Sequence, residues 1–325
     1  MREDQYSMRD EILAGLRMVP KTIHPKYLYD MRGSQLFERI CMTPEYYLTR
    51  AEHWILHRWA NEIIDKLGEG LCIIEPGAGA CRKIRPLLET GAVSMFIPVD
   101  ISAKHLRTAA AGVSLAFPDV TVRAVSMDYL HDFNRVQNLL PQTGRRVIFY
   151  PGSSIGNFDP PVAQNLMRQF GSLLKEDDAL LMGFDVQKDA DIIRSAYNDN
   201  AGATAAFNLN ILSHLNRELR AEFDPNTFTH IAFYNEIRER VEMHLESIIS
   251  QRIKIAGETV EFDKYERVHT ENSYKYSVGE FNALAADAGF YAVNRWSDAR
   301  SLFAVGLYRK SPVARKASAR QAGSL

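Results

Sequence analysis

The stretch Leu71–Lys83, LCIIEPGAGACRK, read together with Phe96–Ser102, FIPVDIS, decides the fold. Leu71 to Ile74 are apolar and partly β-branched, the pattern of a buried strand. Glu75 ends that run, and Gly77 and Gly79 turn the chain before an amphipathic helical pattern begins near Arg82. A second short apolar run ends on Asp100, about 20 residues past the glycines. Strand, glycine turn, helix, strand and acid form the βαβ arrangement that holds an adenosine. The glycines let the backbone approach the ligand closely, and an acid ending the second strand can accept from both ribose hydroxyls.

The details of the turn choose among nucleotides. A dinucleotide fingerprint has a third glycine where Arg82 stands, so nothing here suggests a pyrophosphate packed on a helix N-terminus. Glu75 ahead of the glycines, with no third glycine, fits S-adenosylmethionine (SAM) better than NAD. The bland alternative is a glycine turn that merely reverses the chain. The combination of Glu75, Gly77, Gly79 and Asp100 argues against it.

Outward from this motif the alternation is regular. Strands are predicted at 71–75, 95–100, 120–125, Arg146–Tyr150 and Ala179–Phe184, the last closed by Asp185. Helices are predicted near 82–90, 102–116 and 160–174. Strands separated by helical stretches imply a parallel doubly wound sheet, whose ligands bind off the carboxyl ends of the strands. Glu75, Asp100, Asp128, the Gly152–Asn157 loop and Asp185 all fall at or near such ends. Upstream, Thr49 with Glu52 reads as a capping box that opens a long helix.

After Asp185 the alternation lapses. Residues 189–220 read as helical, and 229–262 as antiparallel strands around a glycine turn at Gly257. Ser277–Gly289 reads as a helix capped by Ser277 with Glu280, and a terminal pair of strands follows, the last antiparallel to the rest. The expected fold is therefore α/β: a class I SAM-dependent methyltransferase (Rossmann-like) sheet with a second α+β lobe. The sheet domain is assigned to 52–188 and 277–312, the substrate lobe to 1–51 and 189–276. The small, basic tail at 313–325 is expected to be disordered.

Composition narrows the class further. Among 325 residues, 46% are hydrophobic and 24% charged, which is ordinary for a globular chain with a sizeable core. The formal net charge of −1 leaves no footprint for a polyanion, so a nucleic-acid partner is disfavoured. No signal peptide or apolar run of spanning length is visible, and no membrane partner is expected. Cys41, Cys72 and Cys81 lack metal-ligand spacing and read as free thiols in a reducing compartment, which places the protein in the cytoplasm. His24, His53, His57, His244 and His269 show no pairing that calls for a metal, and none is expected.

Several segments carry a more specific resemblance: KYLYDMRGSQLFERI, TPEYYLTRAE, the GSSIGN loop, AYNDNAGATAAFNLNIL with NREL after it, and RVEMHLES. From about Pro20 to about Arg309 the chain resembles the L-histidine Nα-methyltransferases of ergothioneine biosynthesis. The resemblance implies that Glu75, Gly77, Gly79 and Lys83 form the first SAM loop. Asp100 would then hold the ribose, and Asp128 and Tyr129 would flank the adenine. Asn157 and Tyr197 would grip the amine and carboxylate end of the amino acid, with Tyr29 and Tyr47 as pocket walls that orient the amine. Glu271 and Ser273 would read the imidazole beside Met243. Pro76 and Cys81, inside the glycine loop, depart from the family pattern.

The residues themselves bear on these roles. Glu271 and Ser273 are two apart, so on a strand both point to one face, and a carboxylate with a hydroxyl can bond the two nitrogens of one imidazole. For an arbitrary Glu-x-Ser a solvated strand face is the default, and the resemblance is what moves the reading. Asn157 could equally be an asparagine tolerated at a left-handed turn position. Single tyrosines among Tyr27, Tyr29, Tyr46 and Tyr47 read first as core aromatics.

The implied reaction is an in-line displacement at a methyl group, which needs alignment rather than a metal or covalent intermediate. Tyr29 and Asn157 would orient a neutral amine, and three methylations of free histidine would give hercynine. The expected assembly is a monomer with a small-molecule substrate. Alternatives are a related enzyme acting on a tryptophan-like amino acid, a non-catalytic SAM-binding protein and, more remotely, an NAD dehydrogenase.

Overall fold

The computed structural model of the chain describes residues 8–311. The tail assigned at 313–325 lies outside the described residues. The chain divides into two compact units, Met1–Tyr47 with Lys188–Ser273, and Leu48–Gln187 with Tyr274–Leu325.

The second unit carries an eight-stranded sheet. Its order is Phe290–Ser297, Phe303–Lys310, Ala179–Asp185, Arg146–Tyr150, Leu71–Pro76 and Val93–Asp100. Thr121–Val122 and Val125–Ser126 both pair with the last of these. The five central and edge pairings from Ala179–Asp185 outward are parallel, while Phe303–Lys310 runs antiparallel to both its neighbours. Every residue of Leu71–Pro76 and Ala179–Asp185 is buried, as expected for central strands covered on both faces. This is the doubly wound class I methyltransferase sheet that the alternation implied, with the antiparallel strand where the terminal hairpin predicted it.

Three local expectations are corrected. The helix foreseen near 82–90 shrinks to Arg85–Leu88, because Cys81 takes a left-handed backbone (φ 52°) and the chain enters its helical turn only at Pro86. The strand foreseen at 120–125 breaks into two two-residue edge segments. The long helix starts at Tyr47 and runs to Leu67, so Thr49 lies inside it and Glu52 is no capping residue. The Ser277–Glu280 capping box, in contrast, is present with both reciprocal hydrogen bonds.

The first unit is α+β. A four-stranded sheet runs Lys21–Thr22, Arg267–Tyr274, Arg240–Ser247, Phe228–Asn235, and a separate hairpin pairs Gln251–Ile255 with Glu258–Phe262. The helices Met31–Cys41 and Ala203–Leu219 belong to it. Gly33 is required where it stands, since a Cβ there would collide with the carbonyl of Leu28. Asp30 caps the first helix through the Gly33 N–H at 2.7 Å, and Asp199 caps the second through Ala203 and Thr204, each at 2.8 Å. Burial alone would raise both carboxyls, but the hydrogen bonds donated to them outweigh it and hold both low. The sequence pieces DMRGSQ and NDNAGAT are thus helix-start signals as well as family markers.

Candidate active site

In the sheet unit, the glycine turn is left-handed at Gly77 (φ 70°) and Gly79 (φ 49°), conformations that side chains resist. Asp100 braces it: Oδ2 accepts from the Gly79 N–H at 2.9 Å and Oδ1 from the Ser102 N–H at 2.8 Å. Each oxygen keeps a second lone pair. Asp128 ends the next strand region and caps a short turn through the Leu130 N–H at 3.0 Å. The Tyr129 ring faces Gly77, close enough that a Cβ on Gly77 would touch it at 3.7 Å. Its hydroxyl lies 3.1 Å from that of Tyr150, and burial pushes its phenol up to about 12, so it stays protonated.

Glu75 is buried at the end of its strand, and burial raises its carboxyl well above the usual range, only partly offset by Lys83. Its Oε2 has no hydrogen-bond partner among the described residues. A buried acceptor beside a glycine turn fits a ligand that brings its own donor, as an adenosyl amino acid does. The residues present therefore fit SAM.

Glu52, misread from sequence as a cap, joins two loops of this unit. Its Oε1 accepts from the Gly152 N–H at 2.7 Å and its Oε2 lies 3.2 Å from Lys83 Nζ. Gly183 makes room for it, since a Cβ there would collide with its carboxylate. In the GSSIGN loop the left-handed positions are Gly152 and Ser153, not Asn157, which ends the turn Ser154–Asn157 and is half-buried. Ser153 Oγ accepts from the Asp185 N–H at 3.0 Å, and Asp185 pairs at 2.8 Å with Lys275, both completely buried. Gly156 packs on the backbone of Tyr274, whose hydroxyl donates to Asp159 at 2.8 Å. The residue before Asn157 thus abuts the residue after Ser273.

In the α+β unit, Glu271, Ser273, Tyr197 and Met243 are all buried. The Tyr197 hydroxyl donates to Ser273 Oγ at 2.7 Å, which leaves the serine proton directed elsewhere. Tyr46 packs edge-on to Tyr197 with ring centroids 6.2 Å apart. Burial pushes the Tyr46 phenol well up, and Tyr197, Cys41, Tyr29 and Glu271 push it further, so these groups surround it. Tyr29 packs against Phe37 and Phe207. Met243 lies on Arg240–Ser247, next to the Glu271 strand, and its carbonyl accepts from Thr270 at 3.1 Å. The Tyr47 hydroxyl accepts from Lys188 Nζ at 2.6 Å. No group of three or more His, Cys, Asp or Glu among the described residues could hold a metal ion.

Residues 8–310 match the model of a family described as histidine-specific, SAM-dependent methyltransferases. The chain belongs to that family. It is 36% identical over 93% of its length, and 94% of the relative's, to a histidine N-alpha-methyltransferase of Mycolicibacterium smegmatis. The corresponding Mycobacterium tuberculosis protein of the same name is 34% identical over 94% of this chain and 95% of the relative. A third relative, ergothioneine biosynthesis protein 1 of Neurospora crassa, is 31% identical over 86% of this chain but only 32% of its own length.

In this family member the sequence-derived residues fall into two groups. Glu75, Gly77, Gly79, Lys83, Asp100, Asp128, Tyr129 and Asn157 belong to the sheet unit. Tyr29, Tyr47, Tyr197, Met243, Glu271 and Ser273 belong to the α+β unit. Tyr197, assigned from resemblance to the amine and carboxylate, has its hydroxyl on Ser273. Three residues escaped the sequence reading. Glu52 has a capping-box spacing that hid it, Tyr46 was one tyrosine in a cluster of four, and Lys188 carries no local signal at all.

Proposed function

We propose that this enzyme transfers methyl groups from SAM to the α-nitrogen of free L-histidine, three times, to give the trimethylated betaine hercynine in ergothioneine biosynthesis. One observation carries the substrate assignment: a buried carboxylate and a buried serine hydroxyl on one strand, with the serine oxygen already accepting from Tyr197. Ser273 then has a proton to give, and Glu271 has lone pairs to receive one. A neutral imidazole offers one N–H and one bare nitrogen, and it satisfies both. An amino acid lacking the ring N–H would leave the buried carboxylate unpaired, a discrimination worth about 10⁴-fold in sites of this kind. Met243 supplies an apolar surface beside the ring.

SAM, when bound, supplies an electrophilic methyl group on a sulfonium. Gly77, Gly79, Lys83 and Glu75 form its first loop in this reading, Asp100 accepts from the ribose hydroxyls, and Asp128 and Tyr129 flank the adenine. Asn157 and Tyr29 orient the amine with its lone pair toward the methyl carbon. The rate gain comes chiefly from that alignment. Tyr29 and water take the protons that the amine sheds between methylations, with no strong base. Tyrosine faces, Tyr46 among them, tolerate the growing quaternary ammonium by cation–π attraction. The reading includes a monomer working in the cytoplasm, in keeping with three cysteines that are all free thiols.

Incubation of the purified chain with SAM and a panel of free amino acids, followed by mass spectrometry, tests the proposal. Trimethylated histidine should dominate. Turnover of tryptophan or another amino acid in place of histidine would overturn the substrate assignment.

A further inference from the structure

Lys188 is outside every motif that marked the site, yet it makes one of the closest polar contacts in the α+β unit. Its Nζ donates to the Tyr47 hydroxyl at 2.6 Å and lies 4.4 Å from the centroid of the same ring. Tyr47 is buried and Lys188 half-buried, so the pair is shielded from the screening that weakens surface ammonium groups.

The direction of this hydrogen bond has a chemical consequence. An ammonium group has only donors, so Tyr47 must be the acceptor, and its single proton is directed away from Lys188. The adjacent positive charge also makes the phenol a stronger donor, because it stabilises the developing phenolate. A phenol held this way suits an acceptor with negative charge. It suits a free amine poorly, since the amine lone pair must stay available for methylation.

We propose that Lys188 is a positioning residue that commits Tyr47 to the substrate's carboxylate rather than to its amine. The assignment rests on the reading that Tyr47 lines the amino-acid site. The pair thereby selects α-amino acids over the corresponding decarboxylated amines, while the imidazole is read separately by Glu271 and Ser273. Lys188 acts through Tyr47, so the two should not contribute independently.

The test is a double-mutant cycle on the full-length protein, with Lys188→Met, Tyr47→Phe and the pair, plus Lys188→Arg as the conservative variant. Calorimetry in the presence of S-adenosylhomocysteine measures binding of histidine and of histamine, which lacks the carboxylate. A lost hydrogen bond to a charged group corresponds to about 10- to 100-fold in affinity. K188M should weaken histidine binding by about that factor and leave histamine binding within about twofold. In the Y47F background K188M should add little further loss, and K188R should restore part of the affinity. Equal loss for histidine and histamine, full additivity with Y47F, or no effect of K188M would each overturn the role of Lys188. Failure of the unmodified protein to bind histidine at all would instead overturn the substrate reading, and the proposal with it.

Discussion

Replacing Glu52 tests how the sheet unit holds its ligand loops. The residue is 1% exposed, accepts the Gly152 N–H at 2.7 Å and faces Lys83 Nζ at 3.2 Å. Glu52→Ala removes a charged acceptor from a backbone donor, a loss of about 1.5–3 kcal/mol. The Lys83 side chain is 28% exposed, so water replaces much of its lost partner and that contribution stays below about 1 kcal/mol. The expected total is about 2–4 kcal/mol. Glu52→Gln retains an oxygen for Gly152 but turns an amide or a neutral oxygen toward the ammonium, and should cost about half as much. Both variants should weaken S-adenosylhomocysteine binding by about tenfold or more, because the loop bearing Lys83 and the loop bearing Asn157 lose their common anchor. Urea titration gives the stability change from the midpoint at unchanged slope, and calorimetry gives the affinity. Stability within 0.5 kcal/mol of the parent for E52A (about the scatter of an ordinary surface change) with unaltered affinity would refute the reasoning.

Gly183→Ala should be as damaging as E52A, since its Cβ collides with the same carboxylate, and thermal unfolding would show it. Gly77→Ala forces a side chain to φ 70°, a strain of about 1–2 kcal/mol, while its contact with Tyr129 at 3.7 Å is ordinary. Its stability loss should therefore be modest, and its loss of SAM affinity in calorimetry larger. His244 is depressed to about 4 by burial and by His269, against 6.5 in the unfolded chain. The unfolded state therefore takes up the proton first as pH falls. Stability is constant above about pH 6.5 and declines between 6.5 and 4 by up to about 3 kcal/mol from this group. His244→Gln should flatten that decline in denaturant titrations, and an unchanged slope would contradict it.

The sheet was legible because its signal is periodic and local. Buried strands at Leu71, Arg146 and Ala179 lie where apolar runs end on acids, and the Ser277 capping box needs only four residues to declare itself. Edges were harder to read: Thr121–Val122 and Val125–Ser126 have one neighbour each, so their apolar pattern is thin. The shortened helix at Arg85–Leu88 reflects a left-handed cysteine, a residue type that gives no warning of positive φ. The candidate site was legible mainly through family segments. Glu271 and Ser273 gain physical meaning only once Tyr197, some seventy residues earlier in sequence, is seen to donate to the serine. Glu52, Tyr46 and Lys188 act through partners distant in the chain, and no spacing rule reaches them.

The central claim is that the imidazole of a free histidine is bound by Glu271 and Ser273 in a SAM-dependent enzyme. A crystal structure of the protein with histidine and S-adenosylhomocysteine tests it most directly. The account predicts one ring N–H on the Glu271 carboxylate, the other ring nitrogen on the Ser273 hydroxyl, and the α-nitrogen facing the sulfur of the bound nucleoside. Histidine bound with its ring away from both residues, or with its α-nitrogen turned from the sulfur, would contradict it.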